Sequence, residues 1–406
     1  MSLSSKEILE IGQKYLVGNV CRYELALVKG EGMKLWDADG REYLDFLAGV
    51  ATCALGYNPP AVVKALAEQA AKLIHVSNYF YTEPLVKLAS LLTSVSGLGK
   101  AFFCNSGAEA NEAAIKLARK YSHDLHGPGR YGIITAQGSF HGRTLGTISA
   151  TGQAKVKEGF EPLLPGFTHV PYNDIEAIRA AITPETCAVM LEPILGEGGV
   201  VVPLAGYLPQ VAALCKEKGL LLILDEIQTG LGRTGRIFGF QNYDVKPHII
   251  TLAKALGGGV ASGAMLATDE VAGHLTPGSH STTVGGAPIA MAVGLVMVET
   301  IIQGDFLDNV VATGDYFRKK LKELAQELGP KTIKEVRGQG LLLALELTQP
   351  GGPVVVEMTK RGFLINVTAG NVLRFAPPLI VTPAEVDLLM PALKEALVTV
   401  YPQAGE

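Results

Sequence analysis

Residues 220–230 read Leu-Leu-Leu-Ile-Leu-Asp-Glu-Ile-Gln-Thr-Gly, and residues 248–259 read His-Ile-Ile-Thr-Leu-Ala-Lys-Ala-Leu-Gly-Gly-Gly. Each stretch opens on a short apolar run and then changes abruptly to a charged residue followed by small or polar ones. A run that is apolar at every position suits a strand covered on both faces; a half-exposed strand would alternate. The same pattern recurs at Ala101–Cys104, Tyr131–Thr135 and Ala188–Leu191. Helical stretches separate the runs, and strands joined by helical crossovers run parallel. The fold class expected is therefore α/β: a large domain with a mostly parallel sheet sandwiched by helices.

The flanks read differently. Apolar alternation on either side of Asp37-Ala-Asp-Gly40 suggests strands joined by a tight turn within Leu25–Phe46. Helical periodicity begins near Ala61, and a long helical pattern runs to Ile302. Helix, strand (Leu341–Leu347), helix, strand (Leu373–Ala376) and helix follow. We read residues 1–60 and 305–406 as a smaller α+β domain built from both termini, and 61–304 as the large domain.

Composition removes other classes. With 48% hydrophobic residues and 18% charged ones, the chain is not disordered. Its net charge of −4 offers no basic surface to nucleic acid or to an anionic membrane. No apolar run approaches the roughly 20 residues that span a bilayer. The N-terminal stretch has no signal-peptide core. Five scattered cysteines with no CxxC pair read as reduced thiols of a cytoplasmic protein.

In open α/β sheets, ligands bind outside the carboxyl ends of the strands, so the residues after each run carry the chemistry. Asn105-Ser106-Gly107-Ala108-Glu109 opens a helix whose free N–H groups form an anion site. Ser106 is equally an N-cap, with Glu109 completing a capping box. In Ser139-Phe140-His141-Gly142-Arg143, Phe140 offers a flat face and Arg143 a fork for a carboxylate. His141 has no Ser or Cys nucleophile partner. Glu192 and Glu197 in EPILGEGG lack the additional ligands a metal wants, so no metal is expected. Asp225 has one foot in the core and needs a cation or a protonated ring. Gly230, Gly232 and Gly235 match GxGxxG but lie too far beyond the strand to cradle a dinucleotide. Lys254 either snorkels from a loop or is an amine that forms a Schiff base.

In their joint order, NSGAEA, SFHGRT, EPILGEGG, LDEIQTGLGRTG and TLAKALGGG resemble the class III (ω-amino acid) aminotransferases of the type I pyridoxal-phosphate fold. The resemblance covers nearly the whole chain. It implies pyridoxal 5'-phosphate as cofactor, held as a Schiff base by Lys254. Asp225 would hold the ring's pyridine proton, and Gln228 would bond the 3-oxygen. Phe140 would stack on the ring, and Ser106, Gly107 and Ala108 would take the phosphate. It also implies an obligate homodimer with shared active sites. Thr283 would reach the partner's cofactor phosphate, and Thr282 would lie near substrate. Arg143 and Arg374 would bind substrate carboxylates, and Glu197 would pair with Arg374 as a gate. The reaction would be a ping-pong transfer from an amino donor to a 2-oxo acid.

Three segments resemble the acetylornithine branch more than the 4-aminobutyrate branch: Asn111–Lys116, Val336–Leu341 and Ile365–Thr368. The donor so implied is N2-acetyl-L-ornithine, in arginine biosynthesis. Succinyldiaminopimelate, succinylornithine, ornithine and 4-aminobutyrate are alternative donors. A mutase, racemase or decarboxylase on the same fold is the alternative reaction class. Leu195, Val284, Ala287 and Ala261 depart from the family's usual residues, the first three at positions expected to affect substrate shape or the subunit contact.

Overall fold

The computed structural model describes residues 3–402. It opens with an amphipathic helix, Ser5–Tyr15, started by a capping box between Ser4 and Glu7. Then come β1 (Leu27–Glu31), β2 (Lys34–Asp37) and β3 (Glu42–Asp45), which pair antiparallel in order. The expected hairpin is thus a three-stranded meander. Its first turn is made at Gly32, whose φ of 56° a side chain would resist.

The central sheet uses β4 (Lys100–Cys104), β5 (Gly132–Ala136), β6 (Phe167–Val170), β7 (Thr186–Leu191), β8 (Leu221–Asp225), β9 (Ile249–Leu252) and β10 (Gly263–Ala267). Their spatial order is β4-β10-β9-β8-β7-β5-β6. The β9-β8-β7-β5-β6 ladder is parallel, and β10 runs antiparallel to both neighbours. Every residue of β7, β8, β9 and β10 is buried, which is why these runs show no alternation. Helices cover both faces, so the expected α/β class holds. The helix Pro288–Ile302 is apolar on nearly every side because it lies beneath the helices Pro60–Lys72 and Glu83–Ser96.

The C-terminal part contributes β11 (Ile333–Gln339), β12 (Leu342–Leu347), β13 (Phe363–Leu364), β14 (Asn366–Thr368) and β15 (Val372–Phe375). Four of these form an antiparallel sheet in the order β11-β12-β15-β14, whereas β13 pairs parallel with β3. The N-terminal meander is therefore completed by a strand from the far end of the chain. Among the described residues no single helix is long and apolar enough to cross a membrane.

Candidate active site

The carboxyl ends of β4, β5, β7, β8 and β9 open onto one cavity of about 490 Å³. Ser106, Gly107 and Ala108 line it after β4, and Phe140 and Arg143 after β5. Glu197 follows β7, Asp225 and Gln228 sit at β8, and Lys254 follows β9. Nine residues proposed from scattered strand ends thus face a single space. Arg374 lies immediately behind Glu197, 1% exposed. Thr282 and Thr283 are not part of the lining in this chain. The Thr282 hydroxyl bonds Asn105 Nδ2 at 3.2 Å, and Thr283 is exposed.

Asp225 is 2% exposed, so its charge must be met locally. Asn111 Nδ2 donates to Oδ2 at 2.8 Å, and the backbone N–H of Ile227 donates to Oδ1 at 3.0 Å. His141 Nδ1 lies 2.8 Å from the same Oδ2. A carboxylate only accepts, so the proton of that contact sits on Nδ1. Asn111 is oriented in turn by Thr251, whose hydroxyl donates to Oδ1 at 2.7 Å, and by the carbonyl of His141 at 2.7 Å. This network fixes the Asp225 carboxylate in place at the cavity wall. It also explains His141, which supports a carboxylate and serves no nucleophile. Asn111 was not singled out for a role in the sequence, because its partner is 114 residues away.

Lys254 follows β9 in a left-handed conformation, φ 44°, that turns its side chain into the cavity. Burial pushes its ammonium down to about 8, against the opposing pull of Glu197. An amine so shifted is neutral in a useful fraction near pH 7, as a nucleophile or proton carrier must be.

Glu197 and Arg374 form an ion pair at 2.5 Å. Burial alone would raise the Glu197 carboxyl, but Arg374 and then Lys254 overcome that and hold it below the ordinary range. Gln228 bridges the pair, accepting from Arg374 Nη1 at 3.3 Å and donating to Glu197 at 3.4 Å. Arg374 Nε donates to Asn366 Oδ1 at 3.3 Å.

Ser106 caps the helix Gly107–His126 by accepting the N–H of Glu109 at 3.2 Å. The reciprocal half of the expected capping box is absent: the Glu109 carboxylate takes the N–H of Asn105 instead, at 2.5 Å. The first N–H groups of the helix still point to the cavity, a ready anion site. A Cβ at Gly107 would lie 2.7 Å from Ile227 Cδ1, so only glycine lets this turn approach the β8 loop. Leu195, 3% exposed, bridges Val201 and does not line the cavity. Val284 is half exposed on the surface, Ala287 precedes the helix Pro288–Ile302, and Ala261 does line the cavity.

The cavity therefore offers a carboxylate at one place, an amine at another, a flat aromatic wall and a helix N-terminus. That set fits a planar ring bearing a basic nitrogen, a carbonyl and a phosphate. The family model for class-III aminotransferases matches residues 18–397. The acetylornithine aminotransferase of Myxococcus xanthus is 48% identical over 95% of this chain and 96% of its own length. That of Methanocaldococcus jannaschii is 49% identical over 97% and 98%. Among solved structures, the ornithine aminotransferase from Toxoplasma gondii ME49 superposes with a TM-score of 0.95 at 33% identity, covering 99% of this chain and 97% of that one. The N-acetylornithine aminotransferase from Stenotrophomonas maltophilia K279a does so with 0.84 at 37%, covering 97% and 99%.

Proposed function

The chain belongs to the class-III aminotransferases, pyridoxal-phosphate-dependent enzymes, and we propose that it moves the δ-amino group of N2-acetyl-L-ornithine to 2-oxoglutarate in arginine biosynthesis. The products are N-acetyl-L-glutamate 5-semialdehyde and L-glutamate. The observation that carries the reaction type is Lys254 and Asp225 facing one cavity from adjacent strands, with the Glu197–Arg374 pair at its wall. The names and identities of the acetylornithine aminotransferases favour this donor.

Pyridoxal phosphate, when bound, supplies an electron-withdrawing ring and a carbonyl that takes up the amino group. Lys254 would hold it through Nζ, and Asp225 would keep a proton on the ring nitrogen by a charge-assisted bond. Phe140 would present its face to the ring, and Gln228 would bond the 3-oxygen. Ser106 with the N–H groups of Gly107 and Ala108 takes the phosphate. Once free, Lys254 Nζ would take the proton from the amine-bearing carbon of the donor and deliver it to the carbon that was the cofactor's carbonyl, as base and then acid. Arg143 binds the donor's carboxylate.

Arg374 binds the α-carboxylate of glutamate or 2-oxoglutarate. During the acetylornithine half-reaction no second carboxylate reaches it, and a buried guanidinium without an anion is costly. Glu197 supplies that anion and swings away when the dicarboxylate enters. In this reading residues 1–60 and 305–406 act as the smaller domain that brings Arg374 to the cavity of 61–304. Two chains form an obligate dimer in the cytoplasm, with Thr282 and Thr283 completing the partner's site. The exposed Tyr79, Phe80 and Tyr81, 92%, 61% and 92% accessible, support such a contact.

The test is the visible spectrum of the purified, cofactor-loaded protein before and after acetylornithine, ornithine, succinylornithine or 4-aminobutyrate. Fastest conversion to the pyridoxamine spectrum with acetylornithine, reversed by 2-oxoglutarate, is expected. Faster conversion with another amine keeps the reaction and replaces the donor. A protein that takes up no pyridoxal phosphate overturns the reading.

A further inference from the structure

Glu192 follows β7 directly, is 5% exposed and lines the cavity, yet the reaction above gives it no task. It enters no ion pair with a Lys or Arg among the described residues, although a buried carboxylate without a partner is costly. Its two oxygens instead go to two different loops. Oε2 accepts the backbone N–H of Phe140 at 3.0 Å, and Oε1 accepts that of Gly196 at 3.1 Å. One residue beyond Gly196 is Glu197, whose own carbonyl accepts the hydroxyl of Thr368 from β14.

The chain around Glu197 is fixed in other ways too. Leu195 and Val201 exchange backbone hydrogen bonds of 3.1 and 3.0 Å, closing the turn that carries Glu197. A Cβ at Gly196 would lie 1.9 Å from Gln228 Oε1, and one at Gly198 would lie 2.7 Å from the carbonyl of Gly138. Both glycines are thus wedged against neighbours. Opening this turn as a loop would break the Glu192 and Thr368 bonds and strand buried donors. Turning the Glu197 side chain alone breaks neither.

We propose that Glu192 is a positioning residue for the transfer. It locks the Phe140 wall and the backbone under Glu197 into one frame, so that Glu197 switches by side-chain rotation on an immobile main chain. The proposal rests on the functional reading above.

The experiment uses cofactor-loaded Glu192→Gln and Thr368→Val. Glutamine keeps one acceptor and sets an NH₂ against the second backbone N–H. Glu192→Gln is expected still to give a borohydride-reducible adduct at Lys254. The visible circular dichroism of its bound pyridoxal phosphate changes as the Phe140 wall shifts. In single turnovers the maximal rate falls at least about tenfold in both half-reactions, with a smaller change in the half-saturating substrate concentration. Thr368→Val leaves the dichroism unchanged but shifts the ratio of donor to glutamate half-reaction rates at least about threefold. Wild-type dichroism and rates in Glu192→Gln overturn the proposal, and so does an unchanged ratio in Thr368→Val. If Glu192→Gln does not fold, Glu192→Asp replaces it with the same two outcomes, since the shorter carboxylate cannot span both loops. A wild-type protein that forms no Lys254 adduct overturns the functional reading itself, and this proposal with it.

Discussion

Replacing Glu197 with Gln removes one charge from a pair separated by 2.5 Å and keeps the shape. At an effective dielectric of about 20 the attraction lost is about 7 kcal/mol. Most of that is offset by the hydration the two groups regain, leaving about 1.5–3 kcal/mol for a charged hydrogen bond. Arg374 is 1% exposed and then lacks a full counter-charge. It competes with Arg143 for the single carboxylate of acetylornithine and draws the donor into the wrong pose. The donor half-reaction is expected to lose about tenfold to 150-fold in kcat/KM. The glutamate half-reaction should hold or improve, because its carboxylate no longer has to displace Glu197. Stopped-flow absorbance separates the two, starting one from the pyridoxal form with acetylornithine and the other with glutamate. Equal losses in both would refute the reasoning, since they would mean that Glu197 contributes the same to either substrate.

Lys254→Ala is expected to abolish both half-reactions and to leave no borohydride-reducible link to the cofactor; a labelled peptide elsewhere would reassign the lysine. The rate at which cofactor-free protein captures pyridoxal phosphate should rise with pH and level off above about 8, because the neutral amine reacts and burial has moved its midpoint from 10.5. A rise that continues past 10 would show that Lys254 is not desolvated. Asn111→Leu strands the carbonyl of His141, the hydroxyl of Thr251 and one acceptor site of Asp225. A loss of about 2–5 kcal/mol in urea unfolding, with faster cofactor dissociation, is expected. An unchanged midpoint would mean that water replaces the amide.

Much of the site was legible because its chemistry is local to strand ends. Asp225 ends β8, and Lys254 lies two residues after Leu252 at the end of β9. An apolar run that stops at a charged residue is visible in any window of ten. The three-stranded meander was read as a simpler hairpin because its first turn is only two residues, Gly32 and Met33. Glu109 was read as closing a capping box on Ser106, whereas its carboxylate reaches Asn105. Leu195, flagged as a departure in the gate segment, packs against Val201 away from the cavity.

By itself the sequence determined which residues end the buried strands, hence the α/β class, the places of Lys254 and Asp225 at two strand ends, and the family. Those features depend on hydrophobic periodicity and on residue order, both properties of neighbours along the chain. Only the tertiary structure decided which distant groups meet. Arg374 reaches Glu197 across 177 positions, Asn111 reaches Asp225 across 114, and Glu192 joins Phe140 to Gly196 across 52 and 4. Such pairings follow from how sheets and helices pack, and the penalty for leaving a buried polar group unpaired then selects the partner. No local pattern encodes that choice, because the partners become neighbours only after the core has closed.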